Sequence, residues 1–121
     1  MIPCTAPYVI DGDSIGCANA GEVRLLGIDA PDLTYSRPCV GYYGDHVCDD
    51  RAARQAKYNL RRAMSLGPIR LEPVTQDRYG RMVAVVYAGS TNLSCWQLRF
   101  PGVRYMPRYD NGRRIARACG R

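Results

Sequence analysis

Four aspartates, Asp11, Asp13, Asp29 and Asp32, fall within 22 residues that are otherwise apolar or neutral apart from Glu22 and Arg24. In the stretch "EVRLLGIDAPD", Glu22 to Asp32, an apolar strand carries an arginine and then breaks into two carboxylates around a proline. A charge in an apolar strand is costly without a partner. A second arginine, Arg81, ends the turn-like "DRYGR" just before the apolar run "MVAVVYA". Two carboxylates brought together repel unless a cation lies between them. Oxygen ligands of this kind suit a hard divalent ion, Ca²⁺ first and Mg²⁺ second. Two arginines and such an ion, converging on one point, would stabilise a phosphoryl group gaining negative charge. The plainer reading stays open: Asp11-Gly12 shapes a turn, Asp29 ends a strand, Arg24 sits in a buried salt bridge, and Arg81 is a strand-entry charge.

The elements that must position these residues follow from turn and cap signals. "PYVIDGDSIG" reads as a tight hairpin about Asp11-Gly12, and "EVRLLGI" as a third strand. Residues 33–47, with Cys39, three tyrosines and two glycines, and with Cys48 directly after them, read as a disulfide-pinned loop. "DDRAARQAKYNLRRAMSLGP" predicts a helix capped by Asp49 or Asp50 and stopped at Gly67-Pro68. Its apolar stripe is Ala52, Ala56, Leu60, Ala63 and Met64, and its arginines form a solvated opposite face. "IRLEPV" and "MVAVVYA" read as two more strands, Thr91 to Leu98 as a short helix, and the tail from Phe100 shows no clear period. The fold class expected is α+β: a five-stranded OB-type barrel with a helix between strands three and four and a short C-terminal helix. A chain of 121 residues suits one domain over 1–121, with a basic tail at 99–121.

Charge and cysteine usage narrow the partners. Seven arginines and one acid, Asp110, lie from Arg99 to Arg121, whereas ten bases and ten acids precede them. All the net charge of +6 therefore sits in the tail, and Lys57 is the single lysine among 17 bases. Arginine binds phosphate bidentately and stacks on bases, which suits a nucleic acid; GC-rich coding produces the same bias without function. No apolar run is long enough for a membrane helix. Six cysteines without a C-x-x-C, and a lone His46, favour disulfides over zinc. Cys4–Cys17 would flank the hairpin, Cys39–Cys48 would close a loop, and Cys95–Cys119 would tie down the tail. Reduced cysteines packed as small hydrophobes are the alternative. Disulfides imply a secreted or periplasmic protein whose export signal has been removed.

"VIDGDSI", "VRLLGIDAPD" and "DRYGRMVAVVY", in this order with a helix between the second and third, resemble the staphylococcal nuclease (thermonuclease) family, over roughly Tyr8 to Leu98. The resemblance implies an OB-fold and Ca²⁺-dependent cleavage of DNA or RNA to 3′-phosphate and 5′-hydroxyl ends. It implies that Asp13 and Asp29 bind Ca²⁺ with the backbone carbonyl of Ala30, and that Asp11 is a nearby supporting acid. Arg24 and Arg81 match the phosphate-binding arginines. Arg78 and Tyr79 match a basic–aromatic pair at a terminal phosphate, and Tyr105 or Tyr109 a base-side aromatic. Asp32 stands where the family has the glutamate that activates water. It is one methylene shorter, so its reach falls roughly 1.5 Å short, and misplacement on that scale costs about 10²-fold in rate. The reading is a monomeric Ca²⁺-dependent nuclease acting through Arg24, Asp32 and Arg81. Two readings stand beside it: an OB-fold module that binds nucleic acid without cutting it, and a disulfide-rich envelope domain binding another polyanion or a protein.

Overall fold

The computed structural model describes residues 1–36, 39–40 and 47–120. Four short strands open the chain, β1 (Ile2–Pro3), β2 (Tyr8–Asp11), β3 (Ser14–Cys17) and β4 (Gly21–Leu25), followed by β5 (Ile28–Asp29). Helix α1 (Asp50–Met64) precedes the two long strands β6 (Ile69–Gln76) and β7 (Met82–Ala88). Then come β8 (Thr91–Asn92), α2 (Leu93–Gln97), β9 (Arg104–Tyr105), two 3₁₀ turns and α3 (Arg114–Ala118). The main sheet runs β1-β6-β7-β4-β3-β2, with β8 on β7, and is curled into a half-barrel; β5 and β9 form a separate pair. The β4–β7 pairing is parallel and the others are antiparallel, so the sheet is mixed. This is an α+β, OB-type arrangement. Among the described residues, strands of four residues or more (β2, β3, β4, β6 and β7) are accompanied by the two-residue strands β1, β5, β8 and β9.

The expected third strand is broken in two, and the break matters for the site. Along β4, Val23 and Leu25 are fully buried while Glu22 and Arg24 are only partly so, which is the alternation of a strand with one core face. At Gly27 the chain takes φ +78, and a Cβ there would meet Ile115 at 3.0 Å. Both the left-handed backbone and the close contact call for glycine. The bend redirects Ile28 and Asp29 onto β9, where Ile28 pairs with Tyr105 and Asp29 with Arg104. The Met106 N–H donates to the Gly27 carbonyl at 2.8 Å and extends that pairing.

Helix α1 starts where the carboxylate of Asp49 accepts the Ala52 N–H, and it buries Ala53, Ala56, Asn59, Leu60 and Ala63. The buried stripe is thus rotated by one residue from Ala52 to Ala53, and it takes in a polar residue. Asn59 is accommodated because its side chain accepts from Gln55 and its carbonyl accepts the indole N–H of Trp96. The core between helix and sheet holds Ile15, Val23, Leu25, Leu26, Leu60 and Leu71, each fully buried.

The tail that lacked a period is nonetheless folded. Asp110, 4% exposed, accepts the N–H groups of Ile115 and Ala116 and the hydroxyl of Tyr105. It nucleates α3 from the front and ties it to β9. Disulfides join Cys4 to Cys17, Cys39 to Cys48 and Cys95 to Cys119. The last of these links α2 to the end of α3. The expected loop over 33–47 falls partly outside the described residues, as does His46.

Candidate active site

The hairpin turn between β2 and β3 is held against two helices. Gly12 packs so closely that a Cβ would lie 2.6 Å from that of Ala56 and 2.9 Å from that of Ala30. The fully buried Gln97 of α2 donates to the carbonyls of Gly12 (2.7 Å) and Ala56 (2.9 Å) and so fastens the turn to α1. Asp13 follows directly. Its Oδ2 accepts the Ala30 N–H at 3.0 Å, and its carbonyl accepts the Leu25 N–H at 2.9 Å. The hairpin is therefore joined to the chain just beyond β5, and Asp13 and Asp29 come to one place although 16 residues separate them.

Arg24 bridges the two carboxylates. Its Nη1 lies 3.3 Å from Asp13 Oδ2 and its Nη2 lies 3.4 Å from Asp29 Oδ1, while Nη2 also donates to the Ile28 carbonyl at 3.2 Å. Asp29 Oδ2 has a second guanidinium at 3.0 Å, that of Arg104 on β9. Both carboxylates are buried, at 5% and 7% exposure, so their charge has little help from water. Burial pushes Asp13 up to about 6, against the pull of Arg24 and the Ala30 N–H and with a further push from Asp29 and Asp11. Burial alone would lower Arg24, but Asp13 and Asp29 outweigh it and raise the guanidinium. The charge of Arg81 opposes that rise, so Arg81 belongs to the same electrostatic neighbourhood.

Arg81 itself is held by acids: its Nη1 lies 2.6 Å from Glu22 and its Nε lies 2.7 Å from Asp77. The register of β4 on β7 explains the first contact, since Val23 pairs with Met82 and the preceding residues are Glu22 and Arg81. On the same turn Tyr79 is 70% exposed, with the guanidinium of Arg78 5.1 Å and that of Arg81 5.7 Å from its ring centre. This is an open aromatic face edged by two cations. Asp11 is exposed and accepts the Ser14 hydroxyl at 3.3 Å. The backbone of Asp32 is pinned on both sides, its N–H to the Val47 carbonyl and its carbonyl to the Asp49 N–H, in a bridge to Cys48. Tyr105 spends its hydroxyl on Asp110 at 2.7 Å, and Tyr109 is exposed beside Arg108. A small cleft beside the hairpin turn, lined by Asp11, Gly12, Arg54 and Lys57 among others, contains neither Asp13 nor Asp29.

Residues 22–99 match the sequence profile of the family described as staphylococcal nuclease homologue, which is more than half of the chain. The chain belongs to the staphylococcal nuclease homologue family. The nuclease-homologue segment contains Arg24, Asp29, Ala30, Asp32, Arg78, Tyr79 and Arg81, and it stops short of the hairpin with Asp13 and of β9 with Arg104. No curated protein matches the chain. Among the described residues no helix is long and apolar enough to cross a membrane.

Two residues that contact the hairpin turn or the carboxylate pair escaped sequence reasoning. Gln97 looks like an ordinary helical residue, and only its burial identifies it as the fastener of the turn. Arg104 sits in the aperiodic tail; its one sequence signal is its place beside Tyr105. The raised Asp13 also has a measurable consequence. In the unfolded chain Asp13 ionises near 3.8, and in the folded chain near 6, so the folded state holds its proton more tightly between these values. Stability must then fall as pH rises through that window, by up to about 3 kcal/mol in chelator-treated protein. Thermal melts from pH 4 to 7 check this. Asp13→Asn should flatten the slope, and an unchanged slope would show that another group is responsible. Asp77 and Asp110, whose backbone N–H and side-chain donors outweigh their burial and lower them, act oppositely: their contribution is lost as pH falls below 3.8.

Proposed function

We propose that the protein is a Ca²⁺-dependent nuclease that hydrolyses phosphodiester bonds of DNA or RNA and leaves 3′-phosphate ends. The observation that carries this reading is the convergence of Asp13 and Asp29 on Arg24, from the β2–β3 hairpin, β5 and β4. The carboxylates suit a hard cation: both are buried, and burial makes the charge of Asp13 costly until a cation compensates it; the resemblance adds the Ala30 carbonyl as a third oxygen. Asp13, Asp29 and the Ala30 carbonyl would hold Ca²⁺, with Mg²⁺ the weaker alternative. When bound, the ion supplies Lewis-acid polarisation of the scissile phosphate. Arg24 and Arg81 donate to the phosphate oxygens, where negative charge grows during attack. Asp32 orients a water and takes its proton, and Asp11 adds negative potential behind Asp13. Arg78 and Tyr79 receive the flanking nucleotide, and Tyr105 lines the base side through its ring. The protein works as a monomer outside the cytosol, where its three disulfides persist.

A second reading is favoured by two observations. Asp32 stands where the resemblance implies a glutamate, and Arg81 is already paired with Glu22 and Asp77. These suit a module that binds nucleic acid through its basic tail without cutting it.

Single-stranded DNA incubated in millimolar Ca²⁺, with an EDTA control, separates the two. Cutting that EDTA abolishes supports the nuclease. Salt-sensitive retention without cutting supports the binding module. Within the nuclease reading, Asp32→Glu should restore reach and raise the rate by about tenfold or more, and Asp32→Ala should lower it. Undiminished cutting by Asp32→Ala would remove Asp32 from the mechanism.

A further inference from the structure

We propose that Arg104 is a built-in counter-cation on Asp29, which lowers the cation affinity of the free protein and turns to the substrate phosphate when that arrives. The inference rests on the reading of Asp13 and Asp29 as the cation site, and it concerns a residue outside the segment that matches the family.

The geometry is specific. Arg104 is the direct cross-strand partner of Asp29 in the β5–β9 pair, and its Nη2 lies 3.0 Å from Asp29 Oδ2. The β9 backbone is fixed by Met106 on Gly27, by Tyr105 on Asp110, and by the Cys95–Cys119 link behind α3. Its side chain is another matter: 38% of it is exposed, against 9% for that of Asp29. A buried carboxylate is thus capped by a guanidinium side chain that is partly exposed to solvent. Arg24 already lies across both carboxylates from the β4 side. With Arg104 added, two positive charges face two negative ones, and a dication entering at Asp29 meets repulsion that Asp13 and Asp29 alone would not impose.

A phosphate changes that balance. Its oxygens accept from guanidinium N–H groups in the same fork geometry that a carboxylate offers, so Arg104 can exchange Asp29 for the incoming anion without losing a charged partner. Cation and phosphate then assist each other through Arg104, and by linkage the assistance is mutual. Ordering follows from this: the site loads fully only when the anion is present.

The test is calorimetric titration of Ca²⁺ into chelator-stripped protein, with and without saturating thymidine 5′-monophosphate, which has no phosphodiester to cleave. Arg104→Gln keeps a hydrogen-bond donor and removes the charge. It should bind Ca²⁺ about tenfold more tightly than the parent when nucleotide is absent, and gain less from added nucleotide. Arg104→Lys keeps the charge and should stay close to the parent. Far-UV circular dichroism checks folding, and if the glutamine variant fails it, the strand-compatible Arg104→Thr takes its place with the same expected tightening. Unchanged or weaker Ca²⁺ binding by the charge-removing variant overturns the proposal, since a purely structural arginine gives that result, and leaves Asp13 and Asp29 standing as the cation site. Absence of Ca²⁺ binding by the parent with saturating thymidine 5′-monophosphate and by Arg104→Gln alike overturns both.

Discussion

Arg24→Gln is expected to slow the proposed Ca²⁺-dependent cleavage by about 10²–10³-fold, the usual effect of removing one donor aimed at developing negative charge. The same substitution removes the guanidinium that Asp13 and Asp29 share at 3.3 and 3.4 Å. Two buried carboxylates would then face each other without the guanidinium that joins them, while Arg104 stays beside Asp29. In chelator-treated protein near neutral pH this should destabilise the fold by about 2–3 kcal/mol, below the usual range for breaking a buried pair because Asp13 can take up a proton instead. Ca²⁺ offers the pair another counter-charge. Melting temperature should therefore recover in Ca²⁺ while the rate does not. Paired melts and initial rates, with and without Ca²⁺, measure the two effects separately. A rate within threefold of the parent would reduce Arg24 to a structural counter-ion. Arg81, partly exposed and paired with Glu22 and Asp77 at the surface, offers the contrast of a kinetic loss with little change in stability.

The other large effect concerns the tail. Cys95 and Cys119 close a loop with a sequence separation of 24. Breaking it in Cys95→Ser/Cys119→Ser should lower stability by about 3 kcal/mol through the freed unfolded chain. For a domain of this size that is a fall in melting temperature of about 10 °C or more. The consequences reach the site. The disulfide anchors α3, whose Ile115 packs against Gly27 at the bend between β4 and β5, and Asp110 connects α3 to Tyr105 on β9. Loosening α3 loosens the strand that pairs with Asp29. The double variant should therefore lose Ca²⁺ affinity or cleavage at temperatures well below its melting point. Full activity retained up to melting would show that the tail is a separate staple with no bearing on the site. Denaturant unfolding beside activity at 25 °C distinguishes these results.

Much of the architecture was legible because local rules govern it. The hairpin about Gly12, the start of α1 at Asp49 and the long strands β6 and β7 follow from turn chemistry, capping and apolar runs, each set by a few consecutive residues. The break of the third strand at Gly27 was not legible. It depends on Ile115, nearly ninety positions away, pressing where a Cβ would stand. The tail escaped for a similar reason. Its 3₁₀ turns and five-residue α3 are too short to show a period, and they hold through Asp110 and a disulfide rather than through an amphipathic face.

The site divides along the same line. By itself the sequence determined which groups are present: the aspartates, Asp32 among them, the arginine within one apolar strand and that before another, and the aromatic turn at Tyr79. These identities, in their order, suffice for family membership, because motifs are written in consecutive residues. Only the tertiary structure decided which charges meet. Arg24 lies between Asp13 and Asp29, Arg81 lies with Glu22 and Asp77, and Arg104 caps Asp29 from a segment with no motif at all. The physical reason is that electrostatic partnership depends on distance and burial in space. Those are set by the bend at Gly27, by the Gln97 clamp on the hairpin and by the pairing of β5 with β9, contacts between residues far apart along the chain.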